Sequence, residues 1–108
     1  MNERNTVQLI GFVGQDLKQK QTKWGYRVAI RMATHFYLVK APAEKLVKTT
    51  WHNVVAWDQQ ADYAAQNFVK GSKIMVEGRI VYGCFVDKGG VKHFTTHIRA
   101  HCLINLDR

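Results

Sequence analysis

The stretch Trp51-His52-Asn53-Val54-Val55-Ala56-Trp57-Asp58-Gln59-Gln60-Ala61-Asp62-Tyr63-Ala64-Ala65-Gln66-Asn67-Phe68-Val69-Lys70-Gly71 changes its period in the middle. Up to Trp57 the side chains alternate every second residue. His52, Val54 and Ala56 share one face of a strand, and Trp51, Asn53, Val55 and Trp57 share the other. From Asp58 onward Ala61, Ala64, Ala65 and Phe68 recur at helical spacing. The carboxylate of Asp58 suits an N-cap, accepting from the first free backbone N–H groups. Gly71, just past Lys70, suits a left-handed helix stop. The spacing predicts a helix over 58–69, about three turns long.

Outward from this switch the chain is strand-like. Val7 to Val13 reads as a first strand, broken by Gly14-Gln15-Asp16. Lys18 to Lys23 reads as a loop or ragged strand edge. Tyr26 to Thr34 alternates, with Tyr26, Val28, Ile30 and Met32 on the buried side. Phe36 to Thr49 holds the only proline, Pro42, among Lys40, Lys45 and Lys48, and reads as a protruding loop or flexible hairpin. Beyond the helix, Lys73 to Ile80 turns Ile74, Val76 and Ile80 inward, and Val81 to Val86 continues it with a bulge or twist expected at Gly83. Asp87-Lys88-Gly89-Gly90 is a hairpin turn. The last strand, from about Val91 to Leu106, places Phe94, Thr96, Ile98, Ala100, Cys102 and Ile104 on one side. Thr95, His97, Arg99 and His101 take the other. The order predicts an all-β protein, a five-stranded OB-fold barrel with one α-helix between strands 3 and 4, in a single domain over 1–108. A ferredoxin-like fold needs two helices, and an SH3-like barrel lacks this one.

The chain has 108 residues, enough for one core, with 46% hydrophobic and 22% charged residues, an ordinary globular balance. Sixteen Lys and Arg against eight Asp and Glu leave a net charge of +8, which favours an anionic partner. No stretch pairs a basic helical face with a broad apolar one, so no membrane partner is expected. The polar start Met1-Asn2-Glu3-Arg4-Asn5 lacks a signal-peptide core, and a cytoplasmic, nucleoid-associated location is expected. Cys84 and Cys102 form no C-x-x-C motif and are expected as free thiols.

The same inventory argues against catalysis. No Walker-type phosphate loop occurs, no spacing suggests a Ser-His-Asp or Cys-His pair, and the acidic residues form no two-metal cluster. His93, His97 and His101 sit four apart on a strand, so the first two alone lie about 13 Å apart, too far to share a zinc. No enzyme activity, metal or cofactor is expected.

Several segments together resemble the bacterial single-stranded-DNA-binding proteins. They are Asn5-x-Val7-x-Leu9-Ile10-Gly11 running into Gly14-Gln15-Asp16, Ala33-Thr34, and Thr50 to Trp57. Val69-Lys70-Gly71-Ser72-Lys73, Val76-Glu77-Gly78-Arg79-Ile80 and Phe94-Thr95-Thr96 follow. The resemblance spans nearly the whole chain. It implies an OB-fold that binds single-stranded DNA in replication, repair or recombination, as a homo-oligomer, tetramer or dimer. It implies stacking aromatics at Trp51, Trp57 and Phe85. A further aromatic aligns with Leu38, for which the adjacent Phe36 and Tyr37 are candidates. His52 matches a histidine near a subunit interface. The long linker and acidic tip of such proteins have no counterpart before the chain stops at Asn105-Leu106-Asp107-Arg108, so no tail-mediated protein recruitment is expected.

The residues give that expectation a physical basis. Aromatic rings on an outer sheet face stack on any base, and neighbouring cations neutralise phosphates. Lys23, Arg31, Arg79, Lys88 and Arg99 fall beside the aromatics or on outward strand positions. The opposite assignment would bury Trp51 and Trp57 in the core, and a bulge at Gly83 would turn Phe85 inward. Trp24 either plugs a barrel end or meets the ligand. An RNA-binding or primosome-type OB-fold accessory module is the alternative function.

Overall fold

The computed structural model describes residues 3–41 and 44–107. Its elements are β1 (Val7–Val13), β2 (Lys18–Thr22), β3 (Gly25–Ala41), β4 (Glu44–Trp57), α1 (Asp58–Asn67), β5 (Lys73–Val86) and β6 (Lys92–Asn105). β1 pairs antiparallel with β5 along most of its length and with β3 at its end, where Phe12 faces Ala33 and Val13 faces Met32. β5 pairs antiparallel with β6, β6 runs parallel to β4, and β4 pairs antiparallel with β3. Five strands therefore close a ring, β1-β5-β6-β4-β3, and β2 hangs from β3 outside it. This is the all-β OB-fold arrangement, with the helix between the long hairpin and the last two strands.

Strand alternation fills the ring. Val28, Ile30 and Met32 from β3, Val54 and Ala56 from β4, and Ile74 and Val76 from β5 are buried, with Val13, Ile98 and Leu103. Ala61, Ala64 and Phe68 cap this core at one end, and Tyr63 meets Phe68 edge-on at 5.6 Å. The small alanines let the helix backbone lie close to the barrel. Its exit is tied to β1: Val13 N–H donates to the Ser72 carbonyl and Gly71 N–H to the Val13 carbonyl, at 2.9 and 2.8 Å. The buried Ser72 hydroxyl accepts from Val69 N–H at 3.0 Å, so it is satisfied.

Several local expectations change. Asp58 is not the N-cap. Trp57 holds that position with extended backbone, and Asp58 takes φ +50°, with its Oδ1 accepting from Tyr26 N–H at 3.1 Å. A strand partner reaches the carboxylate before the helix can use it. The helix ends at Asn67 rather than Val69, because Phe68 turns extended to enter the core. Gly71 does adopt a left-handed φ of +93°, but in the turn after the helix. Of the two readings of Lys18 to Lys23, the strand edge holds: Lys18–Thr22 is an outer strand paired with β3. The stretch from Phe36 onward extends the β3–β4 hairpin, in register from Arg27↔Trp57 to Val39↔Lys45. Pro42 lies outside the described residues, as do the side chains of Leu38, Lys40 and Lys45.

The bulge expected at Gly83 lies elsewhere. Gly83 pairs with Thr95 in unbroken register, whereas Glu77↔Cys102 is followed by Gly78↔Ala100, leaving His101 as the extra residue. One inserted residue reverses the inside–outside parity beyond it. Leu103 is therefore buried while Ile104 is exposed, the reverse of simple alternation. Phe94 and Thr96 share the parity of buried Ile98 yet are exposed, because the β5–β6 hairpin runs past the end of the core.

Two measurements test this packing. At Gly11 an added methyl would overlap the Ala33 carbonyl where β1 meets β3. Gly11→Ala is expected to destabilise by about 1–3 kcal/mol in urea unfolding, through backbone displacement at the closure. His52 is half-buried, with Nε2 2.9 Å from the Thr34 hydroxyl, and burial lowers its pKa from the ordinary 6.5. The unfolded chain then binds the extra proton more readily. The stability His52 contributes is present above about pH 6.5 and is lost as pH falls through the lower folded value. The melting temperature should drop from pH 7.5 to 5.5, and drop less in His52→Gln.

Candidate nucleic-acid interface

The outer faces of β3 and β4 meet in register. Arg27 lies opposite Trp57, Arg31 opposite Asn53, and Ala33 opposite Trp51. Cross-strand partners share a face, so cations and indoles alternate on one surface. The Trp51 ring is 47% exposed and lies on the backbone of Gly14, where any side chain would collide with it. The Arg31 guanidinium sits 5.3 Å from its centroid. Supported from beneath and flanked by a cation, the ring offers a face for stacking. Trp57 is only half-exposed, at the junction of β4 and the helix.

Beside these rings the barrel wall opens. β4 and β6 pair only at Val54↔Ile98 and Val55↔Arg99. A groove of about 600 Å³ runs along this seam, lined by Lys18, Arg27, Arg31, Asn53, Thr95 and His97 among others, with Asp16 at its edge. A hollow of about 240 Å³ shares Asn53, Thr96 and His97 with it and reaches Trp51 and His52. His52 otherwise takes the inner parity of β4 and bonds Thr34. Burial, then the charges of Arg27 and Arg99, push the His97 pKa down. This disfavours the charged form of its ring, and the permanent cations of the groove are Arg and Lys.

The β5–β6 hairpin carries the face further. Arg79 pairs with Arg99 and Phe85 with His93. With no bulge at Gly83, Phe85 stays outward and is 54% exposed. The His93 ring stacks on it at 4.9 Å and 15°. His93 Nε2 lies 2.8 Å from Asp87 Oδ2, and Asp87 Oδ1 accepts from Gly89 and Val91 N–H at 2.9 Å. The bond to His93, then that from Val91, lowers the Asp87 pKa. The turn thus holds a carboxylate, the carboxylate holds an imidazole, and the imidazole backs the phenyl ring.

The remaining expected residues divide. Tyr37 is 69% exposed and has the parity of Arg31 and Ala33. It extends an aromatic row Phe12–His35–Tyr37 with centroids 6.1 and 6.4 Å apart. Phe36 is exposed on the opposite face of β3, apart from Trp51. Lys88 lies exposed at the hairpin turn, and Lys23 sits 4.4 Å over the Trp24 ring. Sequence reasoning left Arg27, His97 and His93 outside the expected site. Arg27 was findable, since it precedes Arg31 by four residues on one strand face. His93 was weighed only as a metal ligand, and its stacking depends on cross-strand register.

The arrangement has close counterparts. The chain is 36% identical over 110 residues to the single-stranded DNA-binding protein, mitochondrial, of Danio rerio, covering 94% of this chain and 75% of that one. It is 33% identical over 96 residues to single-stranded DNA-binding protein 1 of Chlorobaculum tepidum, covering 87% of this chain and 59% of that one. The structure of a Plasmodium falciparum SSB in complex with ssDNA superposes with a TM-score of 0.81 at 28% identity, covering 99% of this chain and all of that one. The family model described as single-strand binding protein family matches residues 4–106. With the ring, the exposed aromatics of its outer face and this match in agreement, the chain belongs to the single-strand binding protein family.

Proposed function

We propose that this protein binds single-stranded DNA without strong sequence preference, as a binding protein rather than an enzyme, in replication, repair or recombination. The observation that carries this reading is one surface holding Trp51 on its Gly14 support, Arg31 over it, and the cationic groove beside it. Bases stack on Trp51, Trp57 and Phe85, and Tyr37 extends the row. Phosphates run along Arg31, Arg79 and Arg99, with Lys23 and Lys88 at the two turns. Phe36, on the far side of the hairpin, contributes least.

A homo-oligomer, tetramer or dimer, fits the outside of the β1–β5–β6 sheet. Ile10 pairs with Met75 and Met75 with Ile104, giving a partly exposed apolar row on one sheet face. Such a patch favours burial against another copy. His52 is assigned near a subunit contact on its match within the family. Among the described residues no helix is long and apolar enough to cross a membrane.

Titration with oligo-dT should quench tryptophan fluorescence. The affinity should fall with salt, with a log–log slope of about −0.7 per phosphate neutralised. Trp51→Ala should weaken binding about tenfold while the far-UV spectrum stays that of the folded protein. Salt-independent binding, or an unaltered Trp51→Ala affinity, would remove the site. Tighter binding of oligo-rU than oligo-dT would move the assignment to RNA.

A further inference from the structure

A separate hollow of about 370 Å³ lies beyond the groove, lined by Trp24, Trp57, Asp58 and Arg99. Trp24 comes from the turn between β2 and β3 and is 76% exposed. Trp57 comes from the end of β4 and Arg99 from the middle of β6. Lys23 Nζ sits 4.4 Å over the Trp24 ring, so a second cation accompanies this indole, outside the lining of the hollow. Two indoles at one hollow suit a flat aromatic guest, and the two cations suit an anion attached to it.

Asp58 narrows the choice of guest. Its Oδ1 accepts from Tyr26 N–H at 3.1 Å. Among the described residues no other donor bonds this carboxylate, so Oδ2 and a lone pair of Oδ1 remain for a ligand. A carboxylate only accepts hydrogen bonds, and it repels phosphate. The group that approaches must therefore present N–H donors. Guanine carries two adjacent donors, N1–H and the N2 amino group, on its Watson–Crick edge, matching the two oxygens of a carboxylate. Thymine offers one donor between two carbonyls. Adenine and cytosine place a ring acceptor beside their amino group, which would face the carboxylate.

We propose that Trp24, Trp57 and Asp58 form a base subsite that takes a guanine of the bound strand between the indoles. Asp58 accepts from its N1–H and N2 amino groups, and Arg99 and Lys23 meet the flanking phosphates. The subsite deepens the single-stranded-DNA reading and rests on it. It adds a local base preference to binding that elsewhere ignores sequence.

The test is fluorescence anisotropy with two labelled twenty-nucleotide strands, oligo-dT and the same strand with several dT replaced by dG. Wild-type protein should bind the dG-containing strand roughly five- to tenfold more tightly. Asp58→Gly suits the φ of +50° but gives up the bond from Tyr26 N–H, so its far-UV spectrum and melting temperature are measured beside its affinities. It should abolish the difference while leaving oligo-dT affinity equal or higher. Trp24→Ala, at an exposed ring, should weaken binding of the dG-containing strand about tenfold. Replacing dG with deoxyinosine, which lacks the N2 amino group, should recover an intermediate affinity. Equal affinity of wild-type protein for both strands, or a preference that survives Asp58→Gly, overturns the proposal, as does unchanged binding by Trp24→Ala. Failure of the parent reading looks different: wild-type protein would then bind neither strand.

Discussion

The closure of the ring at β1 governs everything else in the molecule. β1 pairs with β5 along one edge and passes its last two residues to β3 on the other. At Gly11 the backbones come so close that no side chain fits between that residue and the Ala33 carbonyl. Without this approach the sheet would stay open between β1 and β3, and the inward residues on both sides of the gap would lose their opposite wall. With it, Val28, Ile30, Met32, Ile74 and Val76 share one interior, and the outward residues of β3, β4, β5 and β6 form a continuous exterior. Closure also carries Gly14 beneath the Trp51 ring, so the segment that seals the barrel also supports this exposed ring.

The exterior divides into supported rings and permanent charge. Trp51 rests on backbone, and Phe85 rests on His93, which Asp87 holds. Fixing a ring in advance lowers the entropy lost when a base stacks on it. The cations between are chiefly arginines, whose charge does not vary with pH near neutrality, and burial, then the charges of Arg27 and Arg99, lowers the pKa of the histidine among them, His97. The short parallel pairing of β4 and β6 leaves the seam open enough for a strand of nucleic acid to run along it. Exposed rings and permanent charge thus come from different residues on one face, the division of labour that the proposed binding without sequence reading requires. Asp58 breaks that pattern with a negative group, and the proposed guanine subsite rests on that exception.

The period switch at Trp57, the inward sets of β3 and β4, and the Asp87–Gly90 turn were legible in the residues. Burial imposes period two on a strand and about 3.6 on a helix whatever the rest of the chain does. The outward side of Trp51 was legible for the same reason, as were Arg31, Arg79 and Arg99. Features that depend on two segments meeting were not. The bulge at His101 exchanges Leu103 and Ile104 between core and surface, and only its pairing with Glu77 and Gly78 reveals it. Asp58 looked like a helix cap because local rules see the helix alone, whereas Tyr26, thirty-two residues earlier, claims its carboxylate. Phe36 and Tyr37 are neighbours in the chain but fall on opposite faces once the hairpin extends through them. The residues alone thus determined which elements form and which side of each strand is apolar, since both follow from short-range periodicity. Tertiary structure decided which rings are supported, which charges gather at the groove and where Asp58 points, because each depends on a partner distant in sequence.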